Sequence, residues 1–293
     1  MKKWLQWWLG IVLWLFTVGC GKMPQSGFVA VDEGTLYYEI TGEGEPLIFV
    51  HGHSLDCRMW REQVAYFSDR YRVVTYDARG YGRSSKQRED LRFTHCDDLV
   101  ALMDALGIER AHVVGLSMGG FIAGDLVAMY PERLLSVVLC EGHIRSTPSV
   151  NHPMTDAERA TKQHSIDAIA EEGLAAYKAR WFEQLMQGGT AAERMREPLR
   201  EIIDAWDGWQ APHHEVHCYY AREAMDTLRS RRPLVPTLFI EGHRPNREAP
   251  QEPSMMRYLP NSHMVVVPDC GHMVNMERPE AFNGAVEAFL SRL

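Results

Sequence analysis

Short apolar runs that stop at small or polar residues recur along the chain. Leu47-Ile48-Phe49-Val50 stops at His51-Gly52, Val73-Val74-Thr75-Tyr76 at Asp77, and Ala111-His112-Val113-Val114-Gly115-Leu116 at Ser117. Val137-Val138-Leu139-Cys140, Thr237-Leu238-Phe239-Ile240 and Met264-Val265-Val266-Val267 repeat the pattern further on. Runs of this kind predict strands buried on both faces. Residues 28–31 and 35–41 predict an opening hairpin. Helical stretches lie between the runs. They cover residues 59–68, residues 94–106 with Leu99, Leu102, Met103 and Leu106 at helical spacing, the small-residue segment from Ser117 to Tyr130, and Pro279 to Leu293. Strand–helix alternation predicts an α/β fold with a parallel sheet covered on both faces.

Residues 145–232 break that rhythm. They are rich in Ala, Glu, Arg and Trp and hold no strand-like run, yet they sit between two sheet strands. This is the pattern of a helical cap, inserted between core segments 20–144 and 233–293, that closes a pocket over the strand ends.

The first residues read differently. Lys2 and Lys3 precede an apolar, Trp-rich run from Trp4 to Val18, followed by Gly19, Cys20 and Gly21. The run is shorter than a membrane span and ends in small residues, so residues 1–19 read as a secretory signal peptide. Phe16-Thr17-Val18-Gly19-Cys20 resembles the lipobox of bacterial lipoproteins, with Thr17 where Leu is usual. That resemblance implies cleavage before Cys20, lipid on Cys20, and an exported protein anchored to a membrane of the cell envelope. Plain secretion and an uncleaved anchor are the alternatives.

Composition narrows the function classes. With 293 residues, 45% hydrophobic and 24% charged, the chain has the make-up of a globular protein rather than a disordered one. A net charge of −8 disfavours a nucleic-acid binder, which needs clustered Lys and Arg. Cys20, Cys57, Cys96, Cys140, Cys218 and Cys270 contain no CxxC and suggest neither a disulfide framework nor a zinc ribbon.

The chemistry centres on Gly115-Leu116-Ser117-Met118-Gly119, a G-x-S-x-G between a strand and a helix. This context is what a nucleophile elbow requires: a tight turn that pushes Ser117 Oγ out from the sheet edge. The backbone N–H of Met118 is one oxyanion donor, and that of His53, after the sterically free Gly52, is the candidate for the other. His272 follows the last strand, where it can act as general base.

Together, Phe49-Val50-His51-Gly52, the segment Asp77 to Ser84, Gly115 to Gly120, and Gly271-His272 resemble the α/β-hydrolase superfamily. The likeness is greatest to capped esterases, enol-lactonases and carbon–carbon hydrolases. It implies an α/β-hydrolase fold with a mostly parallel eight-stranded sheet, helices on both faces and an inserted helical cap. It also implies that Asp77 to Ser84 is a structural brace. In that family the triad acid is an Asp three residues after a Gly following the strand at 237–240. Here Pro245 stands in its place. Some relatives carry the acid after the preceding strand, where this chain has Glu141. Glu241 and Glu248 are the other candidates, and a triad without an acid is the remaining option.

His213 and His217 stand one helical turn apart, but no further ligand set accompanies them and no metal site is inferred. Trp181, Trp206 and Trp209 read first as cap packing. The sequence therefore predicts a cofactor-free serine hydrolase for a small ester, thioester or lactone. Ser117 would be the nucleophile, His272 the base and Glu141 the acid. A carbon–carbon hydrolase or cofactor-free haloperoxidase could use the same residues, and a binding protein with a degenerate triad is the third reading.

Overall fold

The computed structural model describes residues 25–213 and 218–293. The expected signal segment 1–19, Cys20 and His217 lie outside the described residues.

Eight strands form one sheet. β1 (Gln25–Val31) and β2 (Gly34–Thr41) make the opening hairpin, and β3 (Glu45–Val50), β4 (Tyr71–Tyr76), β5 (Ala111–Leu116), β6 (Leu134–Cys140), β7 (Thr237–His243) and β8 (Ser262–Pro268) follow. Their order is β1-β2-β4-β3-β5-β6-β7-β8. The β1–β2 and β2–β4 pairs are antiparallel and every later pair is parallel.

Alternation within each apolar run explains the two cores. Leu47 and Phe49 of β3 pack on one side of the sheet, Ile48 and Val50 on the other. Val138 and Cys140 of β6 likewise oppose Val137 and Leu139. Successive side chains of a strand point to opposite faces, so a run with no polar break is what a doubly covered strand needs. Each such side chain contributes roughly 1.5–3 kcal/mol on burial.

Helices supply the covering layers. On one face lie α2 (His95–Ala105), with Leu99, Leu102 and Met103, and α3 (Met118–Met129), with Ile122 and Leu126. On the other lie α1 (Arg61–Phe67), the short α8 (Val274–Glu277) and α9 (Pro279–Leu290), with Phe67, Phe282 and Val286. Thr94 caps α2 by accepting from Asp97 N at 3.1 Å. Pro279 opens α9, where its missing N–H costs nothing.

The described part of the segment 145–232 holds helices joined by loops and no strand: α4 (Asp156–Glu172), α5 (Leu174–Leu185), α6 (Arg196–Ala205) and α7 (Ala221–Arg231). Thr155 and Glu158 form a capping box that starts α4. The helices differ in what they cover. α5 and α6 turn Phe182, Leu185, Leu199, Ile202 and Ile203 into one core. α7 instead packs against α3, sending Ala224, Met225 and Leu228 into the other core. The last helix of the segment is thus a layer of the sheet sandwich rather than a roof over it. Among the described residues no helix is long and apolar enough to cross a membrane.

Candidate active site

Ser117 occupies the turn between β5 and α3 with φ 57° and ψ −114°. A positive φ at a residue with a Cβ costs on the order of 1–3 kcal/mol and persists only where the surroundings over-determine it. Here they do. Ser117 N donates to Cys140 O at 2.8 Å, and Phe121 N donates to Ser117 O at 3.1 Å. Behind the turn the backbones nearly touch. A Cβ on Gly119 would overlap the Val50 carbonyl, and one on Gly142 would overlap the Ser117 carbonyl. The small residues of G-x-S-x-G are therefore required by contact, and Gly142 belongs with them.

Met118 is the first residue of α3, where helix N–H groups have no intrahelical acceptor. It lines a cavity of about 400 Å³ together with Ser117, His53, Phe121, Thr147, Pro148 and Tyr219. The two expected oxyanion residues and the expected nucleophile thus share one space.

The loop after β3 is built around two different histidines. His51 is fully buried; its Nδ1 donates to Gly52 O at 2.8 Å and its Nε2 accepts from Ala78 N at 2.8 Å. It is a strut. The His53 Nδ1 lies 2.8 Å from Tyr81 Oη, and its ring meets Trp206 and Trp181 edge-on at 5.3 and 5.9 Å. Burial, followed by the Lys162 and His51 charges, pushes the His53 imidazole down to about 4, so it stays neutral near pH 7. Trp206 is buried and Trp181 partly so, and both frame His53 as well as packing against the core. Trp209 stacks on His213 at 4.5 Å.

The segment Asp77 to Ser84 holds this loop in place. Asp77 accepts from Cys57 N and from Arg83 N, both at 2.9 Å. Arg79 is buried and grips Asp98 through two bonds of 2.8 and 2.7 Å. Removing one partner of such a pair strands a buried charge.

His272 lies after β8 and Glu141 after β6. Glu141 Oε2 accepts from His272 Nδ1 at 3.1 Å, while its Oε1 accepts from Gly242 N at 2.5 Å. Glu141 also has a positive φ, 53°, and its N–H donates to Ile240 O at 3.0 Å. A second strained residue thus aims a carboxylate at the imidazole. With Nδ1 engaged, Nε2 is the nitrogen left for proton transfer. No hydrogen bond joins Ser117 Oγ to His272 among the described residues. Contacts of this kind commonly tighten only when substrate is bound. Pro245 lies in an exposed turn, and Glu248 is exposed. Glu241 is half-buried beside Glu141, and its acid is pushed up to about 8 by burial and then by the Glu141 charge, with Arg145 opposing.

The sequence gives no signal for two further supports. Glu277 is fully buried and accepts from Gly271 N at 2.7 Å and Gly189 N at 2.5 Å, clamping the His272 loop to the loop after α5. Trp181 Nε1 donates to Ser54 Oγ, beside His53. Gly189 lies 88 residues from Glu277 and Ser54 127 from Trp181, beyond the reach of local patterns.

His213 Nδ1 lies 2.6 Å from Trp209 O, and its expected partner His217 is outside the described residues. Asp56, Cys57 and Asp77 cluster closely, but the Asp56 oxygens are held by Arg58 and those of Asp77 by Cys57 N and Arg83. Cys57, Cys96, Cys140, Cys218 and Cys270 are all buried, and no disulfide joins them among the described residues.

Residues 45–279 match the family model described as alpha/beta hydrolase fold. The 3-oxoadipate enol-lactonase 2 of Acinetobacter baylyi is 28% identical over 267 residues, covering 88% of this chain and 93% of that protein. The enol-lactonase structure from Burkholderia xenovorans superposes with a TM-score of 0.68 at 28% identity, over 90% of this chain and 100% of that one. A malate-bound thermophilic esterase from Thermogutta terrifontis gives 0.71 at 27% identity, over 92% and 98%.

Proposed function

We propose, for a chain that belongs to the α/β-hydrolase family and is an enzyme of the hydrolase class, that its reaction is hydrolysis of a carboxylic ester, thioester or lactone through an acyl-enzyme on Ser117. The observation that carries this reading is the 3.1 Å contact between Glu141 Oε2 and His272 Nδ1, formed where the usual acid position holds Pro245. A degenerate binding protein has no need of that contact.

In the proposed reaction Ser117 Oγ attacks the carbonyl carbon and His272 Nε2 takes its proton. Glu141 holds the imidazole in the right tautomer and stabilises the imidazolium. The N–H groups of Met118 and His53 receive the oxyanion. His272 then returns the proton to the leaving alcohol, thiol or ring oxygen. Water, activated by the same His, releases the acid and restores Ser117. No step calls for a cofactor. Phe121, Tyr219 and Pro148 around the cavity suit a small or medium apolar acyl group. The enol-lactonase and esterase relatives support the ester and lactone class.

The test is hydrolysis of p-nitrophenyl esters, from acetate to decanoate, and of simple lactones. Turnover by the wild type and its loss in Ser117→Ala support the reading. A folded wild type that turns over none of them sinks it, and carbon–carbon substrates and peroxidase assays become the next arm.

The motif at Phe16 to Cys20 supports an exported protein with lipid on Cys20, with residues 145–220, short of α7, serving as its cap. Radiolabelled palmitate incorporated by the wild type and lost in Cys20→Ala is the expected result. Equal labelling of both, or of neither, overturns the lipid anchor.

A further inference from the structure

Two carboxyl groups meet behind His272, where a catalytic triad needs one. The cause is strand register. Cys140 of β6 pairs with Ile240 of β7 in parallel, so the next residue of each strand, Glu141 and Glu241, leaves the sheet edge at the same level. The pairing continues past the strand end, since Glu141 N donates to Ile240 O at 3.0 Å. The Glu141 side chain then leans toward β7, where Gly242 N donates to its Oε1 at 2.5 Å. That lean places it beside Glu241, whose own strand position is level with it across the β6–β7 pairing, close enough for the Glu141 charge to act on that acid.

We propose that Glu241 is a positioning residue, a neutral acid whose O–H donates to the Glu141 carboxylate and holds it against His272 Nδ1. This deepens the hydrolase reading above and rests on it. Glu141 then accepts from three donors, the Gly242 amide, the Glu241 hydroxyl and the imidazole. A carboxylate fixed by several donors loses its freedom to swing away from the ring. The proton on Glu241 is not transferred during turnover; it stays where it is.

The surroundings favour a single charge on the pair. Two carboxylates side by side repel strongly when both are ionised, and half-burial of Glu241 adds a desolvation cost. Cys140 and Cys270 beside them are buried thiols raised by burial and uncharged. Arg145 is the cation that acts against neutrality, and His272 is the remaining titratable neighbour. The balance leaves Glu241 protonated up to about pH 8.

Two measurements on the full chain test this. The first is infrared spectroscopy across pH 6–9, wild type minus Glu241→Gln, which cancels other buried carboxyls such as Asp125. The expected difference is a neutral-carboxyl C=O band that disappears around pH 8. Absence of that band overturns the proposal. The second is the pH dependence of kcat/KM on the best ester. The wild type should decline on the alkaline side around pH 8, as the donor ionises. Glu241→Gln, whose amide donates at every pH, should lack that decline. Glu241→Val, with no donor, should lose roughly tenfold in kcat near pH 7 with little change in KM, about the effect of one lost hydrogen bond. A Gln variant that keeps the alkaline decline also overturns the proposal. If the wild type hydrolyses no ester, the infrared result still decides the role of Glu241 while the hydrolase reading falls by itself. If Glu241→Val fails to fold, the Gln variant carries both tests.

Discussion

Trp181 Nε1, on α5, donates to Ser54 Oγ at 2.7 Å, and Ser54 Oγ in turn bonds to the His53 carbonyl. Ser54 itself has φ 64°, so this chain of contacts holds a strained residue next to an oxyanion-hole candidate. Trp181→Phe keeps the ring and removes the donor. The expected result is about tenfold lower kcat/KM from a displaced His53 amide. Stability should fall by only about 1 kcal/mol. Ester kinetics beside thermal melting check the split. A stability loss without a kinetic one would mean that the contact serves packing alone.

Removing the nucleophile and removing the acid should differ in degree. Ser117→Ala should lower kcat about 10⁶-fold, leaving the catalysis supplied by binding and the oxyanion donors. Glu141→Gln keeps shape and hydrogen bonding but favours the wrong His272 tautomer, so a loss of about 10³–10⁴-fold is expected. Glu248→Gln, exposed and remote from these contacts, should leave the rate unaltered. Equal losses in the two Glu variants would reopen the assignment of the acid.

Gly142 and Gly284 should respond oppositely to the same methyl group. A Cβ at Gly142 meets the Ser117 carbonyl, a backbone atom that cannot swing aside. Gly142→Ala should cost about 2 kcal/mol or more in urea unfolding and most of the activity. Gly284, inside α9, has nothing within 4 Å of its would-be Cβ. Gly284→Ala should therefore stabilise by about 0.5–1 kcal/mol.

Burial of His95 sets part of the acid sensitivity. Its imidazole is pushed down to about 3, by burial first and then by the His51 and Arg79 charges, and its Nδ1 has no partner. The folded state binds this proton more weakly than the unfolded chain, where the value is near 6.5. The contribution is thus complete above about pH 6.5 and is lost as pH falls toward 3. Asp125 acts in the opposite sense. Burial raises it to about 7, so its share of stability declines as pH rises from 3.8 to 7. Comparison with His95→Leu isolates the first effect. Between pH 7.5 and about pH 5 the wild type should lose about 2 kcal/mol relative to the variant. Parallel stability curves for the two would exclude it.

Much of the architecture was legible because its signals are local. β3, β5 and β6 announce themselves as unbroken apolar runs, since both faces of each are buried. Ser117 was legible from the glycines that flank it, because backbone contact leaves room for little else. Glu141 could be named as a candidate only because Pro245 cannot orient an imidazole. The place of α7 against α3 was not legible, because an amphipathic helix does not state which surface its apolar stripe will meet. The same holds for Glu277, whose partner Gly189 lies 88 residues away. The pairing of Glu141 with Glu241 depends on β6–β7 register, which neither strand encodes alone.

The Gly142–Ser117 backbone contact has a mechanical side. The residue after the candidate acid rests on the candidate nucleophile, while Ser117 N is tied to Cys140, the residue before that acid. The two candidates are therefore mounted on one bracket, so that a displacement of either backbone bears on the other. The imidazole reaches the bracket from a different loop, itself clamped to the Gly189 loop by Glu277. A shift of the Gly189 loop would then alter the reach of His272 while the spacing of Ser117 and Glu141 stays constant. Of the three candidate residues, the imidazole is then the one whose position is set from outside the bracket.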